Sequence, residues 1–312
     1  MIDARNVYTK VTRKIYDFSP EQEKNLLAIV WLYRDESDKF LGLVSQYLGS
    51  VVDEGLACFD LEASTSGAGV EAIHPLPDFT AAISTVTELM SPFVSGLPAN
   101  GPHTETWAEL QKEHSLYEKA TLAFQECIGV ASRDWENTAD TAKALGKLTE
   151  SFAPLAETSR DLVKHTDLLY KLASRLIEIC ESECNAKESD DWSAREINAA
   201  RKSADETRAI ATACLKQVRY FWRQAHWLME RFPDARLRDV DGLVKLVDHR
   251  ELAANDWSLT PGRYVGVAPE EVDEDFDFEE AIREIHVELE DLNSESVILA
   301  KKIKKNFEEL GI

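Results

Sequence analysis

No run of 18 or more apolar residues occurs in the 312-residue chain, which excludes a membrane-spanning helix. Glycine (13) and proline (10) are sparse and 44% of residues are hydrophobic, a composition that suits a folded protein rather than a disordered one. Basic residues are outnumbered: 35 Lys and Arg stand against 57 Asp and Glu, a formal charge of −22. That balance argues against nucleic acid as a directly gripped partner, because phosphate binding needs clustered Lys and Arg. The five cysteines, Cys58, Cys127, Cys180, Cys184 and Cys214, are odd in number and scattered. They read as reduced, buried thiols of a cytoplasmic protein. Met1-Ile2-Asp3-Ala4-Arg5 carries no apolar signal-peptide core.

Catalytic signatures are also missing. There is no Gly-x-Ser-x-Gly elbow and no Gly-rich phosphate loop, and Gly67-Ala68-Gly69 is too slight to mark a cofactor site. Cys180 and Cys184 share a face of a predicted helix, but a closed zinc site wants four ligands and no second Cys/His pair has suitable spacing. They read as core or surface thiols. The one Glu-x-x-His, Glu71-Ala72-Ile73-His74, falls in a Gly-rich loop and not on a bundle helix. His249, between Asp248 and Glu251, reads as part of a capped surface turn rather than as a base. The aromatic run from Tyr220 to Trp227 is of a kind that stacks bases, yet Arg219 and Arg223 are its only nearby cations before Arg231. Core packing near a helix end is the favoured reading.

What the chain does have is helical periodicity. Ser19-Pro20-Glu21-Gln22 is a helix start: Ser19 caps, Pro20 fits the first turn and Gln22 completes a capping box. Apolar residues then recur at spacings of three and four from Leu26 to Val52, which predicts one helix to about Glu62, weakened at Gly42, Gly49 and Gly55. Thr65–Pro77 reads as a Gly/Ser-rich loop. Shorter helices are predicted over 78–93 and 104–131, and long ones over 138–187 and 193–231. Pro154 is expected to kink or split the first long one, and Ser193 with Glu196 to form a second capping box. Beyond Pro233 the elements are short and mixed, with a strand expected at Leu243–Val247 and a helical turn at His249–Ala254. From Glu270 to Glu280, eight of eleven residues are acidic, which reads as a solvated linker or a surface for a basic partner.

The last helix, from about Phe278 to Leu310, carries Ile282, Ile285, Leu289, Leu292, Leu299 and Ile303 at steps of 3, 4, 3, 7 and 4. This is a heptad seam with one polar position, Ser296. Glu residues crowd its start, and Lys301, Lys302, Lys304 and Lys305 its end, complementing the helix dipole. Such a seam has to bury against another helix, of this chain or of a partner. Six medium apolar side chains at ~1.5–3 kcal/mol each give roughly 9–18 kcal/mol gross, before ordering costs.

Four phrases carry a family resemblance. Asp239-Val240-Asp241-Gly242-Leu243-Val244-Lys245 and then Trp257-Ser258-Leu259-Thr260-Pro261-Gly262-Arg263-Tyr264-Val265-Gly266-Val267 resemble the C-terminal region of the modification (M) subunits of type I restriction–modification systems. Ile2-Asp3-Ala4-Arg5-Asn6 and Ile29-Val30-Trp31-Leu32-Tyr33-Arg34 are similar to the place where the catalytic domain of longer M subunits gives way to a helical extension. The stretch from about 60 to 230 matches only in helical character. The family's adenine-N6 methyltransferase domain holds S-adenosylmethionine on a Gly-rich loop and grips its base with an Asn-Pro-Pro-aromatic motif. This chain has no Asn-Pro-Pro and no such loop.

The resemblance therefore implies a C-terminal assembly module: a truncated gene product, a split-gene partner or an expressed fragment. It implies no methyl transfer by the chain alone and no cofactor of its own, S-adenosylmethionine being expected on a separate catalytic domain. The specificity subunit and the catalytic methylase portion are the implied partners, DNA is reached indirectly, and no membrane is involved. The tail seam is the implied partner contact. Trp257, Pro261, Gly262, Arg263, Tyr264 and Gly266 are expected to be structural, with Arg263 and Tyr264 locking the Pro-Gly turn against Trp257. An acidic anti-restriction decoy mimicking DNA and a plain structural coiled-coil protein are the alternatives.

The expected fold is all-α: long antiparallel helices, bundle-like or coiled-coil-like, with a small irregular subdomain and a C-terminal helix. The expected divisions are a lead-in at 1–18, the long-helix bundle at 19–232, the irregular subdomain at 233–268, the acidic linker at 269–280 and the heptad helix at 281–312.

Overall fold

The computed structural model describes residues 1–12, 15–60 and 73–268, together with 282, 285, 289, 296, 299, 300, 302 and 303. Gly67-Ala68-Gly69, the acidic linker at 269–280 and Leu292 lie outside the described residues. Two compact units are present, Met1–Val265 and Gly266–Ile312. The fold is all-α.

The first unit is built from α1 (Pro20–Tyr33), α2 (Ser37–Ala57), α3 (Pro75–Ser95), α4 (Thr104–Glu136), α5 (Ala142–Ser151), α6 (Ala153–Glu183) and α7 (Ala194–Arg231), followed by a short α8 (His249–Ala254). With 38 residues, α7 is about 57 Å long. It packs along α2, α3 and α6, and α4 lies against α6 and α2. The apolar spacing of α2 explains its place. Phe40, Val44, Tyr47, Leu48, Val51 and Val52 recur at three and four and are all buried. Phe40 meets Phe232 edge-on at 6.2 Å, and Tyr47 meets Phe221 at 6.3 Å. On α3, Phe79, Ile83, Val86 and Met90 form the buried face, and Phe79 meets Tyr117 of α4 at 5.6 Å. Each such side chain contributes about 1.5–3 kcal/mol by burial.

The helix starts and stops have visible causes. Ser19 caps α1 in a full capping box: its hydroxyl accepts from the Gln22 N–H at 3.2 Å, and the Gln22 side chain accepts from the Ser19 N–H at 2.9 Å. Pro154 divides the fourth predicted stretch into α5 and α6. It sits at the second residue of α6, and buried Phe152 is at once the end cap of α5 and the start cap of α6.

Several expectations are corrected. The single helix from Ser19 toward Glu62 is two helices. Asp35 takes a left-handed conformation (φ 59°), its N–H donates to Leu32 O and the Glu36 N–H to Trp31 O at 2.9 Å. These two bonds close α1 as a Schellman motif, a geometry that Asp tolerates better than most side chains. Of the loop expected over Thr65–Pro77, residues 65–72 lie outside the described residues, and Pro75 already opens α3. Ser193 precedes α7 but makes no side-chain capping bond, so the second capping box is absent. Leu243–Val247 is no strand. Val244 instead makes isolated antiparallel bridges with Val240 and with Ile2.

The segment 1–18 is more than a polar lead-in. It holds an antiparallel pair, β1 (Thr9–Thr12) and β2 (Ile15–Asp17). Its first residues are stitched to the segment after α7: the Met1 ammonium donates to Lys245 O at 2.8 Å, the Lys245 N–H to Met1 O at 3.1 Å and the Asp3 N–H to Leu243 O at 2.8 Å. Residues 1–8 and 239–265 thus form one cap within the first unit.

Candidate functional site

Two places hold the residues singled out by sequence. The first is the cap. Pro261–Arg263 is a single 3-10 turn. Tyr264 behind it is buried, and its hydroxyl donates to Ser258 O at 2.6 Å, closing the loop Ser258–Tyr264 on itself. Arg263 is exposed. Trp257 is 62% exposed, with its backbone left-handed (φ 56°), so the turn is held by Tyr264 and not by a lock on the indole. Gly242 and Gly266 both take positive φ (74° and 73°), where a side chain would be strained.

Gly262 lies under the Arg5 side chain. A Cβ there would lie 2.6 Å from Arg5 Nη2. Arg5 is held over this glycine by Asp3: Nε donates to both carboxylate oxygens at 3.0 and 2.9 Å, and Nη2 donates to Oδ2 at 2.6 Å. Those hydrogen bonds keep the Asp3 carboxyl below the usual carboxylate pKa, against the opposing effect of its burial. The Ile-Asp-Ala-Arg phrase at one end of the sequence and the Pro-Gly-Arg-Tyr phrase at the other therefore touch. Nothing in the sequence pairs them, because the contact spans more than 250 residues.

The second place is the tail. Ile282, Ile285, Leu289, Leu299 and Ile303 are helical, and each is about half exposed. Ser296 and Lys302 are helical and exposed as well. Leu292, the sixth apolar member of the seam, is outside the described residues.

Elsewhere, groups with chemical potential are engaged in the fold. His249 opens α8 behind a capping box, in which Asp248 accepts from the Arg250 and Glu251 N–H groups at 2.8 Å. In the aromatic run, Trp222 donates to Thr149 O at 2.9 Å and stacks on His226 at 4.9 Å, while the Arg231 guanidinium covers Trp227 at 4.5 Å. The Tyr220 hydroxyl donates to Glu21 Oε2 at 2.8 Å and is hydrogen-bonded to the Ser19 hydroxyl at 2.6 Å, tying α7 to the first turn of α1. Burial pushes its phenol up to about 12. Cys180 is buried and its thiol is likewise pushed up to about 12, while Cys184 is half-buried. Sequence reasoning missed the pairing of buried Glu113 on α4 with His165 on α6 at 2.6 Å, and of buried Arg219 with Glu157 at 2.8 Å. Only the helix packing brings these partners together.

Among the described residues, no group of three or more His, Cys, Asp or Glu is placed to hold a metal ion, and no helix is long and apolar enough to cross a membrane. No family model, curated protein or solved structure matches the chain.

Proposed function

We propose that this chain is a helical assembly module of a type I DNA adenine methyltransferase, docking on the specificity subunit in the cytoplasm. Methyl transfer, S-adenosylmethionine and the grip on the target adenine belong to a separate catalytic portion, and DNA is reached only through the complex. The observation that carries this reading is the row Ile282, Ile285, Leu289, Leu299 and Ile303, apolar, helical and half exposed. A row at heptad spacing gains free energy by burial against another helix. The cap adds support, since the phrases that resemble M subunits are joined there through Asp3, Arg5 and Gly262.

The test is co-purification of the full chain with a tagged type I specificity subunit. Retention of the wild-type chain, and its loss in Ile285→Glu with Leu289→Glu, is expected. Failure of the wild-type chain to be retained, or binding of labelled S-adenosylmethionine by the chain alone, would overturn the reading. The charge of −22 favours one rival, an acidic decoy that blocks a DNA-binding protein. Such a decoy would release its target steeply as salt rises, whereas a buried apolar seam would not.

A further inference from the structure

Two of the five thiols stand on α2 and α7, helices that pack along each other in opposite directions. At the start of α2 the Ser37 hydroxyl donates to Ala235 O, just past the end of α7, at 2.9 Å. Phe40 then meets Phe232, and Tyr47 meets Phe221 further along. Eighteen residues make five whole helical turns, about 27 Å, so a residue 18 places along a helix returns to the same face. Cys58 lies 18 residues beyond Phe40, and Cys214 lies 18 before Phe232. The face of α2 that meets α7 at Phe40 thus meets it again at Cys58, and the residue opposite is Cys214. The electrostatics of the two thiols agree with this register. Burial pushes the Cys58 thiol up, and the charges of Cys214 and Glu54 add to the effect; burial and Glu54 push up Cys214 in the same way. Both sulfurs therefore share the last turn of α2 with one carboxylate. We propose that Cys58 and Cys214 are a redox pair, which hydrogen peroxide joins in a disulfide that staples the end of α2 to α7.

The two sulfurs have unequal roles. Cys58 is wholly buried, so peroxide meets the half-buried Cys214 first. The Cys214 thiolate attacks one peroxide oxygen: an S–O bond forms, the O–O bond breaks, and the departing hydroxide takes the thiol proton and leaves as water. The Cys58 thiolate then attacks the Cys214 sulfenic sulfur: the S–S bond forms, the S–O bond breaks, and the second hydroxide leaves as water with the Cys58 proton. Two thiols are oxidised and one peroxide is reduced to two waters. Raised thiol pKa values keep the thiolate fraction small, so the staple forms slowly and under sustained oxidant. The second step is aided by the neighbouring position of Cys58. Once formed, the disulfide offers external thiols only its Cys214 sulfur, which slows its reduction. Cys180 and Cys184 make no equivalent pair, because side chains four apart on one helix lean the same way. The loop closed between Cys58 and Cys214 is long, so the staple restricts the unfolded chain strongly and makes the first unit harder to unfold in the presence of oxidant.

The test treats the reduced full chain with peroxide, then unfolds it in an alkylating reagent for thiol counting and peptide mapping. Free thiols are expected to fall from five to three, with one linked peptide carrying Cys58 and Cys214. Tm is expected to rise by about 5–15 °C and to return on addition of dithiothreitol. In Cys214→Ser, Cys58 should keep its thiol through the same treatment and Tm should not rise. In Cys58→Ala, Cys214 should stop at the sulfenic acid, trapped as its dimedone adduct. The proposal is overturned if, in the wild-type chain, Cys214 proceeds to sulfinic acid while Cys58 stays free, or if either cysteine is found linked to any other. Should Cys58→Ala fail to fold, the wild-type map and Cys214→Ser decide between these results.

Discussion

Three glycines on α2 give a sharp test of the α2–α4 contact, because helix propensity treats them alike and packing does not. Replacing an interior helical Gly by Ala gains ~0.8–1 kcal/mol when the new methyl group meets nothing. Gly42 is such a site, with no atom within 4 Å of a Cβ built there. At Gly55 the same Cβ would lie 3.1 Å from Ile128 Cγ1 and 3.3 Å from Cδ1. Ile128 is 2% exposed and cannot swing into solvent. Overpacking of this kind costs about 1–3 kcal/mol, which cancels the propensity gain and leaves a net loss of up to about 2 kcal/mol. Gly49 is intermediate, its Cβ falling 3.1 Å from the Trp135 ring, which is only half-buried and has room to shift. For a unit of this size, 1 kcal/mol moves Tm by roughly 2–4 °C. Calorimetry should therefore show Gly42→Ala melting a few degrees higher than wild type and Gly55→Ala melting lower. Equal upward shifts in both would mean that α4 does not press on α2 at Gly55.

Other expectations follow from single contacts. Ser19→Ala removes both the α1 cap and a hydrogen bond to the Tyr220 hydroxyl, and urea denaturation should show a loss of about 1–2 kcal/mol; an unchanged midpoint contradicts the capping box. Tyr220 has its folded pKa raised from 10.0 to about 12, first by burial, so its contribution to stability is whole below about pH 10 and is lost as pH climbs toward 12. Ultraviolet titration of wild type against Tyr220→Phe should show one phenol missing from the late phase and none from the phase near pH 10. Cys58 and Cys180 are fully buried with raised thiol pKa values, so a thiol reagent near pH 8 should leave both unmodified until the chain unfolds; fast labelling of either in the native protein contradicts the packing around it.

Local rules carried most of what was legible in the sequence. The Ser19 capping box, the division at Pro154 and the turn at His249–Ala254 each depend on residues within one helical turn of one another, and each is present in the structure. The break after Tyr33 was also local, but it turned on Asp35 taking a left-handed conformation, which the unbroken apolar spacing concealed. Ser193 with Glu196 had the spacing of a capping box, but the Ser193 side chain makes no capping bond. The bridge from Ile2 to Val244, and Arg5 standing over Gly262, are contacts between the two ends of the first unit that no periodicity encodes. Of the tail row, Ile282, Ile285, Leu289, Leu299 and Ile303 are helical and about half exposed.

The proposed docking requires that the apolar row Ile282, Ile285, Leu289, Leu299 and Ile303 is what a partner holds. The direct measurement is the equilibrium affinity of the full chain for the specificity subunit at ~0.1 M and ~1 M salt, where the Debye length falls from about 10 Å to about 3 Å. The wild-type chain should bind with similar affinity in both, and Leu289→Glu should bind in neither. Steep loss of wild-type binding with salt, or full binding by Leu289→Glu, would show that charge or another surface makes the contact.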